Sequence, residues 1–149
     1  MNVAGGTGDQ HTVVMLATGT FSVSNAIAIA SPVTVAGVDG PSNTTVRSAG
    51  PARVFELVGP FTVLRDLTIS GTDNGGPYFD GGGVYMNLGL VSNCWIVNDR
   101  AGGRGGGLWM NGGVVADCLF TSNRCTEWQY GRGGAAYVAA VCVVPTMLQ

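Results

Sequence analysis

The sequence predicts a single all-β domain, folded as a parallel β-helix of three-strand coils, with about five coils and a period near 24 residues. Three observations predict it. The first is a tandem repeat: GGGVYMNLGLVSNCWIVNDRAGGR at 81–104 is followed directly by GGGLWMNGGVVADCLFTSNRCTEW at 105–128, with nine of 24 aligned positions identical. The second is the grammar inside each repeat, three apolar stretches too short for helices and separated by Gly, Asn or Asp. The third is composition: 25 glycines among 149 residues and 11% charged residues match neither a disordered chain nor a helical bundle. A unit of this size cannot bury its apolar side alone and must stack on its neighbours.

Taken in order along 1–149, residues 1–11 read as a lead-in segment, 12–138 as coils and 139–149 as an irregular tail or cap. The start, MNVAGGTGDQ, lacks the basic and apolar regions of a secretory signal. Because such solenoids belong on surfaces, the expectation is a mature or excised piece of a longer protein. Thr12 to Phe21 opens the first coil. Ala26-Ile27-Ala28-Ile29 and Val33-Thr34-Val35 alternate on either side of Ser31-Pro32, and residues 39–44 are loop-like. Val54-Phe55-Glu56-Leu57 aligns with Val84-Tyr85-Met86-Asn87 at an offset of 30, and Val63 to Ile69 aligns with Leu90 to Ile96 at 27. The tail, AAVCVVPTMLQ, breaks the pattern. Uncapped coils at either end would favour end-to-end self-association.

Stacking turns sequence positions into columns. Asp66, Asn93 and Asp117 fall at one bend of three successive coils, where residues that tolerate the left-handed conformation are needed. Tyr85, Trp109 and Tyr137 align as an outward aromatic stack. The Gly81–Gly83 and Gly105–Gly107 triplets, continued by Gly133-Gly134, mark where the chain enters a strand. Cys94 and Cys118 stack with parallel Cβ vectors, a poor geometry for a bridge, so they are expected as buried thiols.

Composition also narrows the function classes. A net charge of −2 and the lack of any basic cluster argue against a nucleic-acid partner. The four cysteines show no zinc spacing, so no metal is expected, and no apolar run is long enough to span a membrane as a helix. No cofactor is implied.

The pattern GGGVYM followed by SNCWI, repeated as GGGLWM and ADCLF, resembles the right-handed parallel β-helix repeat proteins of the pectate-lyase-like group. It is close in style to polymorphic outer-membrane and autotransporter passenger repeats. The resemblance covers roughly residues 10–138. It implies a right-handed parallel β-helix, an extracellular or cell-surface location, and a structural or adhesin-like solenoid. The same group holds polysaccharide lyases and glycoside hydrolases. The alternative is therefore a polysaccharide-active enzyme or a fragment of one, with Ca2+ as a cofactor only if it is a lyase.

Three loops of different length, around 71–80, 99–104 and 123–132, should meet on one edge, the usual place for binding on a regular scaffold. Asp73, Asp80, Asp99 and Arg104 are the catalytic candidates. Tyr78, Arg100, Arg124, Trp128 and Tyr130 are the candidates for carbohydrate binding, because arginine forks onto acidic sugars and flat aromatic faces accept sugar rings. The competing reading is that these charges form ordinary surface ion pairs. His11, the only histidine, lies in the first coil, far from this edge.

Overall fold

The computed structural model describes residues 11–126 and 131–139. Three five-stranded sheets run the length of the molecule. The first contains Thr12–Leu16, Val33–Gly37, Val63–Arg65, Leu90–Ser92 and Val114–Ala116. The second contains Gly19–Val23, Thr44–Ser48, Thr68–Ser70, Trp95–Val97 and Leu119–Thr121. The third contains Ile27–Ile29, Phe55–Leu57, Val84–Met86, Leu108–Met110 and Ala136–Val138. Each strand pairs in parallel with its counterpart one coil away, so the chain is a parallel β-solenoid of about five turns with a period near 25.

The strands are short because the inner cylinder accepts only one or two side chains per face before the chain must bend. Phe55, Val84 and Leu108 form one interior column, and Leu57, Met86 and Met110 another, all buried. Leu64 with Val91 and Ile69 with Ile96 complete the walls. Each such side chain contributes about 1.5–3 kcal/mol by leaving water. The open face of the first coil is apolar as well, with Val13, Val14, Met15 and Phe21 exposed.

The bends repeat as faithfully as the strands. Asp66, Asn93 and Asp117 have φ of 60°, 46° and 52°, the left-handed corner that the Asn/Asp column predicts. Asn93 Nδ2 donates to Asp66 Oδ1 at 2.7 Å, one rung of that ladder. A second corner, at Gly71, Asn98 and Ser122, also has positive φ and is not evident from the alignment. Gly81, Gly105 and Gly133 share φ of 67°, 65° and 65°, so the glycine that opens each run is there for backbone conformation.

One register differs from expectation. Val84 pairs with Phe55, not Val54, an offset of 29 where the alignment gave 30. A slip of one residue exchanges the two faces of a strand. At 30, Glu56 would stand level with the buried Met86; at 29 it stands level with the half-buried Tyr85, and Phe55 and Leu57 turn inward. Burial of two large apolar side chains outweighs the better string match.

Cys94, Cys118 and Cys125 are free thiols, and Cys142 lies outside the described residues. Cys94 is fully buried and its thiol is pushed well above the usual range, first by the adjoining Cys118 thiol and then by burial. Alkylation of the folded protein at pH 8 is therefore expected to modify Cys118 about tenfold faster than Cys94, readable by peptide mass mapping. Equal rates would show that the column is open to solvent.

Candidate binding edge

A fourth, narrow ladder forms where the three loops meet. Asp73–Asn74, Arg100–Ala101 and Arg124–Cys125 pair in parallel, so that Asp73, Arg100 and Arg124 stand in one column. Arg100 Nη1 donates to Asp73 Oδ1 at 2.7 Å. Beside it runs a second column. Arg104 forks onto Asp80, with Nη2 at 2.6 Å and Nε at 3.2 Å from Oδ2, and an isolated parallel bridge sets Arg104 level with Arg132. The Asp80 carboxylate raises the Arg104 pKa, so that guanidinium is held firmly in its charged form.

Both columns thus read Asp, Arg, Arg in coil order. The carboxylate at the start of each engages the middle arginine. Arg124 and Arg132 are exposed and form no ion pair among the described residues. The edge is a local cationic surface on a chain whose net charge is −2.

Aromatic rings flank the second column. Tyr85 and Trp109 stack at 4.3 Å between centroids with planes 10° apart. The Arg104 guanidinium lies 5.1 Å from the Tyr137 ring and 6.0 Å from that of Trp109. On the other side of Tyr85, Arg53 sits 4.7 Å from its centroid and 4.5 Å from that of Phe79. In the run Phe79, Arg53, Tyr85, Trp109, Arg104, Tyr137, each guanidinium lies beside two rings, with the Tyr85–Trp109 stack at the centre. Contacts of this kind contribute about 0.5–1 kcal/mol each where exposed and more where desolvated. Burial lowers the Arg53 pKa, with Glu56 acting in the opposite sense.

Two clefts open on this surface. One, of about 300 Å³, is walled by Tyr78, Asp80, Gly103, Arg104, Arg132 and Tyr137. The other, of about 420 Å³ and strongly polar, is bordered among others by Thr72, Asp73, Asn98, Asp99, Arg100 and Arg124.

Of the residues singled out in the sequence, the fold brings Asp73, Arg100 and Arg124 together in one column, and Asp80, Arg104 and Tyr78 around one cleft. Asp99 borders the larger cleft but belongs to neither arginine column. Its side chain turns into the solenoid wall, with 1% of the residue exposed. Trp128 and Tyr130 lie outside the described residues. Arg132, in the third loop, and Tyr137, in the aromatic column, join the site beside the residues named for binding. Their signal is present in the sequence, since Arg104 and Arg132 each stand directly before a glycine run. They are 28 apart rather than 24, and the longer loop of the last coil hides the match. Among the described residues, no three His, Cys, Asp or Glu side chains converge as metal ligands.

Fold and edge together define a β-solenoid repeat protein with an arginine-lined face. No family model, curated protein or solved structure matches the chain.

Proposed function

We propose that this chain is a structural or adhesive segment of an exported or cell-surface protein, and that its arginine-lined edge binds an acidic polysaccharide. The observation that carries the reading is the pair of Asp–Arg–Arg columns, each closing on an exposed arginine without an ion pair among the described residues. Stacked coils place like residues about 4.8 Å apart. A polyanion lying along the solenoid axis would meet Arg100 and Arg124, or Arg104 and Arg132, in succession. Guanidinium forks match carboxylates and sulfates bidentately. The rings of Tyr78 and Tyr137 border the smaller cleft beside Arg104 and Arg132 and offer apolar faces to a sugar ring. Kinship with the pectate-lyase-like solenoids or autotransporter passengers belongs to this proposal and rests on the glycine-triplet repeat.

The enzyme reading draws less support. Glycoside hydrolysis needs two carboxyl groups at a defined separation, both reaching the scissile bond. Asp80 is engaged by Arg104, Asp73 by Arg100, and Asp99 is buried.

Calorimetric titration with polygalacturonate, alginate and neutral amylose tests the proposal. Binding is expected for the two acidic polymers only, weakening as salt rises past about 0.1 M, where the screening length is near 10 Å. The double variant Arg124→Gln, Arg132→Gln should lose about tenfold or more in affinity, the scale of one or two charge-assisted hydrogen bonds. Equal binding of amylose, or an unchanged affinity in the double variant, would refute it. Release of unsaturated or reducing ends would establish the enzyme instead.

A further inference from the structure

Thr72, Asp99 and Asn123 occupy one position of three successive coils, beside the arginine ladder, and form a polar ladder of their own in which Thr72 and Asp99 are buried and Asn123 is half-buried. Asn123 Oδ1 accepts from the backbone amide of Asp99 at 2.9 Å, while its Nδ2 donates to the carbonyl of Ile96 at 2.7 Å. Asp99 repeats the first of these contacts one coil earlier, since its Oδ1 accepts from the amide of Thr72 at 3.0 Å. The second contact is not repeated: Asp99 Oδ2 is buried without a hydrogen-bond partner.

The two side chains are nonetheless superposable. A Cβ placed on Gly83 would stand 2.6 Å from Asp99 Oδ2, and one on Gly107 would stand 2.7 Å from Asn123 Nδ2. Oδ2 of Asp99 therefore occupies the place that the amide nitrogen holds one coil on. Ile69 pairs with Ile96 in register, so the carbonyl that corresponds to that of Ile96 is that of Ile69. An amide nitrogen at this place donates. A carboxylate oxygen does not, and would set two acceptors against each other at an atom with no solvent exposure.

We propose that Asp99 is a proton-dependent latch between coils: protonated, it donates from Oδ2 to the Ile69 carbonyl as Asn123 donates to Ile96; ionised, it releases that bond beneath Arg100. The proton is ordinary solvent acid, and nothing else is exchanged. Thr72 is the group that touches the carboxyl, and Asn123 approaches it from the following coil. The charges nearby are Asp73, Arg100 and Arg124 around the outer cleft, with Arg47 reaching the same corner at Gly71. The Gly83 side presents backbone alone. Asp99 sits between the corner residue Asn98 and the column residue Arg100, so release of the latch loosens the segment that carries Arg100.

Burial pushes the Asp99 carboxyl up to about 8 from 3.8, against the lowering influence of the Thr72 amide and hydroxyl. The folded chain thus holds a proton that the unfolded chain gives up across this interval. The stability contributed by the neutral carboxyl is complete below about pH 4, falls as pH rises, and is gone above about 8.

Melting curves at pH 5 and pH 9, with carboxyl-carbon NMR of the native protein, test the latch. The Asp99 resonance is expected to titrate far above those of the surface aspartates. Asp99→Asn carries the donor at every pH. It should remove the fall in melting temperature attributable to this site and melt about 4 °C or more above the native protein at pH 9. Asn123→Asp should add a second pH-dependent fall. An Asp99 resonance that titrates with the surface aspartates, parallel pH profiles for the native chain and Asp99→Asn, or an Asp99→Asn chain that does not fold would each overturn the proposal.

Discussion

Ile96→Ala is expected to lower the stability of the domain by about 2–5 kcal/mol, a large share of the roughly 5–15 kcal/mol that holds a domain together. Ile96 lies in the fourth coil with no exposed surface, level with Ile69 on one side and Phe120 on the other. In a solenoid each coil is held by its two neighbours, so a cavity here weakens two interfaces. The surrounding column cannot collapse into the space, because the backbone hydrogen bonds of the second sheet fix the coil spacing. Urea unfolding followed by tryptophan fluorescence checks the expectation. A midpoint lowered with an unchanged slope is the expected result, and a cost under about 1 kcal/mol would mean that this column is not packed as described.

Gly107→Ala is expected to cost about 2–4 kcal/mol although it adds a single methyl group. The new Cβ would lie 2.7 Å from Asn123 Nδ2 and 2.8 Å from the Ala135 carbonyl, distances that real Cβ atoms do not show. Asn123 must withdraw, and with it go the bonds to the Asp99 amide and the Ile96 carbonyl. Each buried group left without a partner costs about 1–3 kcal/mol. Gly50→Ala is the control: its Cβ would have nothing nearer than the Ser24 carbonyl at 3.8 Å. Removing the extra freedom of the unfolded chain should make that change neutral or stabilising by up to about 1 kcal/mol. Equal effects of the two substitutions in thermal melts would show that the close approach at Gly107 is not what selects glycine.

Much of the architecture was legible from the repeat. Once residues 24 apart are taken as vertical neighbours, the aromatic column, the thiol column and the Asn/Asp corner follow, because parallel pairing has one side-chain orientation per register. The Tyr85–Trp109 stack and the left-handed Asp66, Asn93 and Asp117 are where that logic places them. Legibility failed where spacing drifted. String similarity matches Val84 to Val54, one residue from its true partner Phe55, because burial of Phe55 and Leu57, not likeness of the strings, sets the face.

The candidate site was legible in part. Its loops could be assigned to one edge from their position in the repeat, and the arginines could be counted. Which carboxylate meets which arginine is a matter of distances across coils: Asp80 meets Arg104, and Asp73 meets Arg100. Asp99 shows the limit most clearly. In the string it is one acidic residue among several next to Arg100; in space it is a buried member of a polar ladder whose neighbours are Thr72 and Asn123.

The order of residues was enough to establish a stacked all-β chain, its coil count and the columns that stacking creates, since these depend on periodicity and on the alternation of faces along a strand. Folding in three dimensions was needed to say which polar groups are paired, which are buried and which arginines carry no ion pair among the described residues. Hydrogen bonds and ion pairs form between atoms a few ångströms apart, and such distances arise between coils, where proximity along the chain carries no information about them.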